Sequence, residues 1–292
     1  MKKKYYLCKD RSLQKKLSDT MRNPVRRVLF VSSEITPFLP ETPVSRMGRY
    51  LPQGIQERKK EIRSFMPRYG CINERKNQLH EVIRLSGMNI IIRDVDRQLI
   101  IKVASISSAR IQVYFIDNDD YFKRKQLVCD ESGKFFEDNG ERAIFFARGV
   151  LETVKKLRWA PDIIHCVGWI SSLVPVYLKK VFRGDPIFSG SRIVTSFYNE
   201  FMGESFPATF PAAALLGDMK PADLGLPEHP AGINLAETAA RYSDGIVFGV
   251  KNVDPEFEGY CKELGVPILP YDEASMHDDS YIDEYDRFYE QL

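Results

Sequence analysis

The 292-residue sequence has no apolar run approaching the roughly 18 residues of a membrane span, and its amino terminus carries lysines with no apolar stretch behind them. Neither a transmembrane segment nor a secretory leader is expected, and the chain is placed in the cytoplasm, away from membranes. Cysteines are few. Cys8, Cys71, Cys129, Cys166 and Cys261 stand apart, with no CxxC pair and no histidine at ligand spacing among the four present. This excludes a zinc site or a disulfide framework, and no metal or cofactor is called for. Net charge is nearly absent too: 42 lysines and arginines against 40 acids leave a formal +2. Nothing global therefore points to nucleic acid or an anionic surface as partner. No internal repeat is found.

What is present is a globular composition, 43% hydrophobic and 12% aromatic, enough to bury a sizeable core. Charge is uneven along the chain. Residues 1–25 form a basic arm containing "KKK" and "RSLQKK", whereas the end of the chain from Tyr271 is rich in Asp and Glu. Between them, "RRVLFVSS" (26–33) reads as a strand buried on both faces. A proline-broken loop, "EITPFLPETPVS", follows, then a helical spacing in "RMGRYLPQGIQERKK" and a further strand in "EIRSFMPRYG". Residues 80–116 are dense in Ile and Val with polar breaks, which predicts inserted β-hairpins leading back to a core strand.

From Asn139 the order helix, strand, helix, strand repeats through "NGERAIFFARGVLETVKKLRW", "PDIIHCV", "SSLVPVYLKKVF", "RIVTSFY", "NLAETAARYS" and "DGIVFGV". Such alternation implies right-handed crossovers and an α/β fold with a doubly wound, mostly parallel, Rossmann-like sheet over residues 26–250. Residues 251–292 form a tail: a helix, an extended "VPILPY", and a terminal helix expected over 278–291 from the spacing of Tyr281, Ile282, Tyr285, Phe288, Tyr289 and Leu292. That helix is expected to dock on the same domain with its acids facing water. In a doubly wound sheet ligands bind at the carboxyl ends of the strands. The positions that matter are therefore 32–46, 117–122, 165–172 and 196–204. Phe38, Tyr198, Phe201 and Phe206 fall in or beside them and could meet a partner, be covered by the tail or complete the core.

The segments "VLFVSSEITPF", "MPRYG", "DNGERAIFFARGVLETVKKLRWAPDIIH", "LVPVYLK" and "GINLAETAARYSDGIVFGV" together resemble the amino-terminal half of bacterial glycogen synthases and plant starch synthases. The resemblance implies one half of a GT-B fold. It also implies an activity, the retaining transfer of glucose from ADP-glucose to the end of an α-1,4-glucan.

Against that family pattern the chemistry departs. Where the family has Lys-Thr-Gly-Gly-Leu-Gly-Asp after the first strand, this chain has "PETPVSR": Pro40 replaces the lysine, Thr42 and Pro43 the paired glycines, and Arg46 the aspartate. Proline offers no N–H to a phosphate. Where the family has His-Ala-His-Asp-Trp-His, "HCVGWI" keeps His165 and Trp169 but puts Val167, Gly168 and Ile170 in place of the second histidine, the aspartate and the third histidine. His165 reads as a vestigial catalytic candidate, expected to bond to nearby backbone. The family's Thr-Ile-His-Asn becomes Ser196-Phe197-Tyr198-Asn199. Substrate contacts, if retained, fall to Glu34, Arg46, Trp169, Tyr198, Asn199 and Glu200, with Arg46, Arg49 and Arg68 as sources of positive charge. Residues 251–292 are too few for the family's second Rossmann domain, which takes roughly 100 residues or more. The expectation is a non-catalytic half-domain acting in binding or scaffolding, with a glucan, a sugar nucleotide or a protein as partner. The alternative is a glucosyltransferase completed by a partner chain.

Overall fold

In the computed structural model, which describes residues 24–292, the first strand, β1 (Arg27–Ser32), divides its side chains between two cores. Leu29 and Val31 enter one and Val28 and Phe30 the other, all fully buried. Alternation of this kind, apolar on both faces, belongs to a parallel strand between two helix layers. After β1 come α1 (Pro43–Glu57) and β2 (Glu61–Pro67). The Ile- and Val-rich stretch then gives β3 (His80–Glu81), β4 (Met88–Ile92), β5 (Val95–Ile106) and β6 (Ile111–Asp117). A short α2 (Asp119–Phe122) precedes the long α3 (Asn139–Leu157), then β7 (Ile163–Val167), a 3-10 turn (Trp169–Ser171) and α4 (Val174–Lys180). The remainder is β8 (Arg192–Phe197), α5 (Phe210–Ala213), α6 (Pro221–Leu224), α7 (Gly232–Arg241), β9 (Gly245–Phe248), α8 (Pro255–Glu263), β10 (Ile268–Leu269), α9 (Glu273–His277) and α10 (Tyr281–Gln291).

The strands form one sheet in the order β10-β9-β8-β7-β1-β2-β6-β5-β3, with β4 paired to β5. From β10 across to β6 every pairing is parallel; the hairpin strands β5, β3 and β4 add an antiparallel margin. The architecture is thus α/β with a mostly parallel, Rossmann-like sheet. Strand order reverses at β1, which has β2 on one side and β7 on the other. Its carboxyl end is the switch point where a doubly wound sheet opens a crevice.

Three local features differ from the sequence reading. Helix α1 begins at Pro43, inside the segment expected to be loop, because Thr42 caps it and a proline at the first helical position leaves only an N–H that would be unbonded anyway. A further short helix, α9, interrupts the tail. The acids of α10 do not simply face water: Asp286 and Glu290 lie 2.6 and 2.8 Å from Lys60 Nζ, and Asp283 pairs with Arg58. The end of α1 and the turn after it place these cations under the helix. Helix α10 buries Tyr281, Tyr285, Phe288 and Tyr289 against β1, β7 and α1. Each such side chain contributes about 1.5–3 kcal/mol. The basic arm expected over residues 1–25 lies outside the described residues except for Pro24 and Val25.

Candidate functional site

The crevice is built where β1 and β7 end side by side. The Ser33 amide donates to the Val167 carbonyl at 2.8 Å, and the Ile170 amide reaches the Ser33 hydroxyl at 3.4 Å. Gly168 joins β7 to the 3-10 turn with φ of 83°, a conformation that favours glycine. A Cβ there would lie 2.3 Å from Ser33 Oγ and 2.8 Å from Glu200 Oε2. The aspartate that the family pattern puts at this position is therefore excluded by the backbone as well as by its neighbours.

On the other side of the crevice, the amino end of α1 is sealed by its own residues. The Ser45 amide donates to Thr42 Oγ1 at 3.0 Å, and the Thr42 amide donates to Ser45 Oγ at 2.8 Å, a reciprocal cap. The Thr42 hydroxyl in turn donates to Glu34 Oε2 at 2.7 Å. A helix amino terminus binds phosphate through unbonded N–H groups and a positive dipole end. Here a hydroxyl and a carboxylate occupy that position.

Glu34 and Glu200 both face the crevice. Burial raises the pKa of each. For Glu200 the repulsion of Glu34 adds to this and the Trp169 amide, donating at 3.1 Å, opposes it, leaving a pKa of about 8. A pair of carboxylates sharing one site resists ionising together. Positive charge does not balance them. Arg46 is exposed and pairs with Glu41 at 3.2 Å; Arg49 is buried and donates to Gln53 and Ser108; Arg68 lies 3.1 Å from Asp117 and 3.2 Å from Glu74. The crevice thus presents two carboxyl groups where a diphosphate would need donors and cations.

The remaining space is small. A cavity of about 20 Å³ lies among Gly168, Trp169, Tyr198, Glu200, Phe201 and Phe206. That is room for one water, whereas small-molecule sites run to roughly 300 Å³ or more. Phe135, Trp169, Phe201 and Phe206 close it with ring centroids 5.6–6.0 Å apart. Phe38 and Phe206 are buried, so these aromatics complete the core rather than await the tail.

His165 is not in the crevice. It lies in the middle of β7, and strand alternation sends its side chain to the α10 face together with Ile163 and Val167. It is fully buried, with Nδ1 2.7 Å from the Tyr289 hydroxyl and Nε2 2.7 Å from Ser196 Oγ. The expected bond to nearby backbone is replaced by two side-chain hydroxyls, one of them on the last helix. Burial drives its pKa down to about 3, so the ring is neutral, one nitrogen donating and the other accepting.

Of the sequence candidates, Glu34, Trp169 and Glu200 meet at the crevice. Arg46 points to solvent. Tyr198 packs its ring on Gly249, where a Cβ would approach to 2.3 Å. Asn199, at φ of 56°, donates to the Asn252 carbonyl at 2.5 Å and accepts from the Asp254 amide at 3.2 Å, tying the end of β8 to the loop before α8. Two residues that shape the site escaped the sequence reading. Ser33 carried no motif, and the capping role of Thr42 was legible as Thr-Pro, a helix start, but was read as a broken loop.

Comparison with known proteins decides the family. The starch synthase catalytic domain family matches residues 27–249. The chain belongs to that family. Among relatives of this starch synthase-type chain, the glycogen synthase of Chlorobium luteolum is 42% identical over 176 residues, 60% of this chain and 36% of that protein. The glycogen synthase of Chlorobium limicola is 36% identical over 221 residues, 75% and 44% of the two. The chain thus spans about two fifths of the length of these curated relatives. In three dimensions it resembles the catalytic domain of starch synthase IV from Arabidopsis thaliana, solved with ADP and acarbose. The TM-score is 0.67 over 85% of this chain and 51% of that one, at 15% identity, a likeness of fold.

Proposed function

We propose that this starch synthase-type domain is non-catalytic, a binding or scaffolding unit that keeps the family's frame while its sugar-nucleotide crevice has become packing. The observation that carries the reading is the reciprocal Thr42–Ser45 cap with its bond to Glu34. It occupies the α1 amino terminus with the chain's own acceptors, where the family's glycine loop would present N–H groups to phosphate. The half-buried Glu34 and Glu200 and the water-sized cavity act in the same direction. Two carboxyl groups that resist ionising together give a diphosphate no positive charge to bind, and a glucosyl group does not fit. His165 supplies no proton to a crevice from the opposite face of the sheet. A unit of this kind serves through its outer surfaces, and its partner is a macromolecule, a protein or a glucan chain, held without turnover.

The test is transfer of labelled glucose from ADP-glucose to glycogen. The chain is assayed alone and mixed with a separately produced carboxyl-terminal half of the Chlorobium limicola glycogen synthase. No incorporation is expected in either case. Incorporation in the mixture that disappears when Glu200 is changed to Gln would overturn the reading in favour of a transferase completed by a second chain.

A further inference from the structure

At the opposite end of the sheet, where the strands begin, the surface is open and basic. A groove of about 490 Å³ lies between the end of α4, the loop into β8 and the junction of α7 with β9. Lys179, Lys180, Arg183, Arg192 and Arg241 line it, and Asp244 is the acid among its lining residues. Lys179 is held by both oxygens of Asp244 at 2.8 Å, and Lys180 by Asp223 at 2.7 Å. Arg241 donates from Nε to the Tyr260 hydroxyl at 3.3 Å. Arg183 and Arg192 are exposed and have neither an ion pair nor a side-chain hydrogen bond among the described residues.

Cations near helix carboxyl ends are ordinarily accounted for by the helix dipole. That covers Lys179, Lys180 and Arg241, at the ends of α4 and α7. Arg183 and Arg192 lie beyond the helices, on the loop and at the first residue of β8, and that account does not reach them. Two guanidinium forks with unbonded donors match the oxygens of a phosphate. Leu178, Phe188 and Ile193 supply an apolar wall, which strengthens charge–charge attraction by keeping water from one side.

We propose that this groove binds a small phosphate ester, with Arg183 and Arg192 holding the phosphate. The volume suits a molecule of nucleotide or phosphosugar size. A long polyanion is not favoured, because it calls for a basic stripe across the surface, and this chain is close to neutral overall. The proposal does not depend on how the crevice is read.

The probe is inorganic pyrophosphate, titrated calorimetrically into the full chain at constant ionic strength. Sodium sulfate serves as the control for general anion effects, and a single-stranded RNA oligonucleotide as a polyanion. Pyrophosphate is expected to bind, with affinity reduced at least about tenfold in the R183A/R192A double variant and further reduced by Arg192→Glu. Both arginines are exposed, so the unliganded melting midpoint should not change. The proposal is overturned if pyrophosphate gives no saturable heat or if its affinity survives the double substitution. It is equally overturned if sulfate binds as well as pyrophosphate does, or if RNA binds where pyrophosphate does not.

Discussion

At the carboxyl ends of β1 and β7 the chain bonds to itself: Thr42 to Ser45 and Glu34, Glu200 to the Trp169 amide, Ser33 to Val167 and Ile170. At the amino ends of β8 and β9, Arg183 and Arg192 line an open groove, and neither side chain has an ion pair or hydrogen bond among the described residues. The family places its chemistry at the first of these ends. In this chain the features expected of a ligand site, namely room and donors without partners, stand at the second. On the proposed reading, fold membership and site competence have separated. The strands and α3 carry the family's frame, while the loops at the carboxyl ends of β1 and β7 bond largely to one another.

Restoring the family's aspartate at Gly168 should break the comparison most severely. At φ of 83°, with Ser33 Oγ 2.3 Å from the new Cβ, Gly168→Asp combines backbone strain with overpacking and should destabilise by about 3 kcal/mol or more. Denaturant unfolding of the pure protein measures it. A loss within about 0.5 kcal/mol, the range of ordinary surface changes, would mean that this end of the sheet is not tightly built.

Thr42→Ala should have a smaller effect, about 1 kcal/mol, the usual loss for an N-cap hydroxyl. It also removes the donor to Glu34. The same unfolding experiment should show Thr42→Ser to be close to wild type, since serine keeps the hydroxyl. Equal losses for both substitutions would argue that the cap is incidental.

A further effect is one of pH. Glu200 titrates near 8 when folded, against an ordinary value of 4.5. The folded state therefore holds a proton that the unfolded state has released, and this contribution is full below 4.5 and lost as pH rises towards 8. The slope is at most about 1.4 kcal/mol per pH unit. His165 acts in the other direction, since its pKa near 3 lies below the ordinary 6.5. Its contribution is full above 6.5 and lost as pH falls towards 3. Between 4.5 and 6.5 the two slopes offset each other, and from 6.5 to 8 the glutamate acts alone. Glu200→Gln should flatten the stability profile from 6.5 to 8. An unaltered decline across that interval in the variant would show that Glu200 ionises normally.

Much of this was legible in the chain. The buried runs of β1, β7, β8 and β9 announced a parallel sheet, and the spacing of Tyr281, Tyr285, Phe288 and Tyr289 announced a docked helix. Replacement of the phosphate loop was visible in Pro40, Thr42 and Pro43. Other features were hidden because they depend on contacts between distant segments. One of the two partners of His165 is Tyr289, 124 residues away. The acids of α10 find Lys60 and Arg58, which no local pattern links to them. Pro43 reads as part of a proline-broken loop, although a proline begins a helix when a capping threonine precedes it. Glu34 and Glu200 were legible as strand-end polar groups. Their mutual repulsion appears only when β1 and β8 lie in one sheet with β7 between them.

The central claim is that the crevice no longer holds a sugar nucleotide. Its most direct test is calorimetric titration of ADP-glucose into the R183A/R192A chain, in which the distant basic groove is disabled and any remaining heat reports on the crevice. The account predicts no saturable binding at low-micromolar concentrations. A dissociation constant of about 1 µM, equivalent to roughly 8 kcal/mol, that weakens when Thr42 or Gly168 is substituted would contradict it.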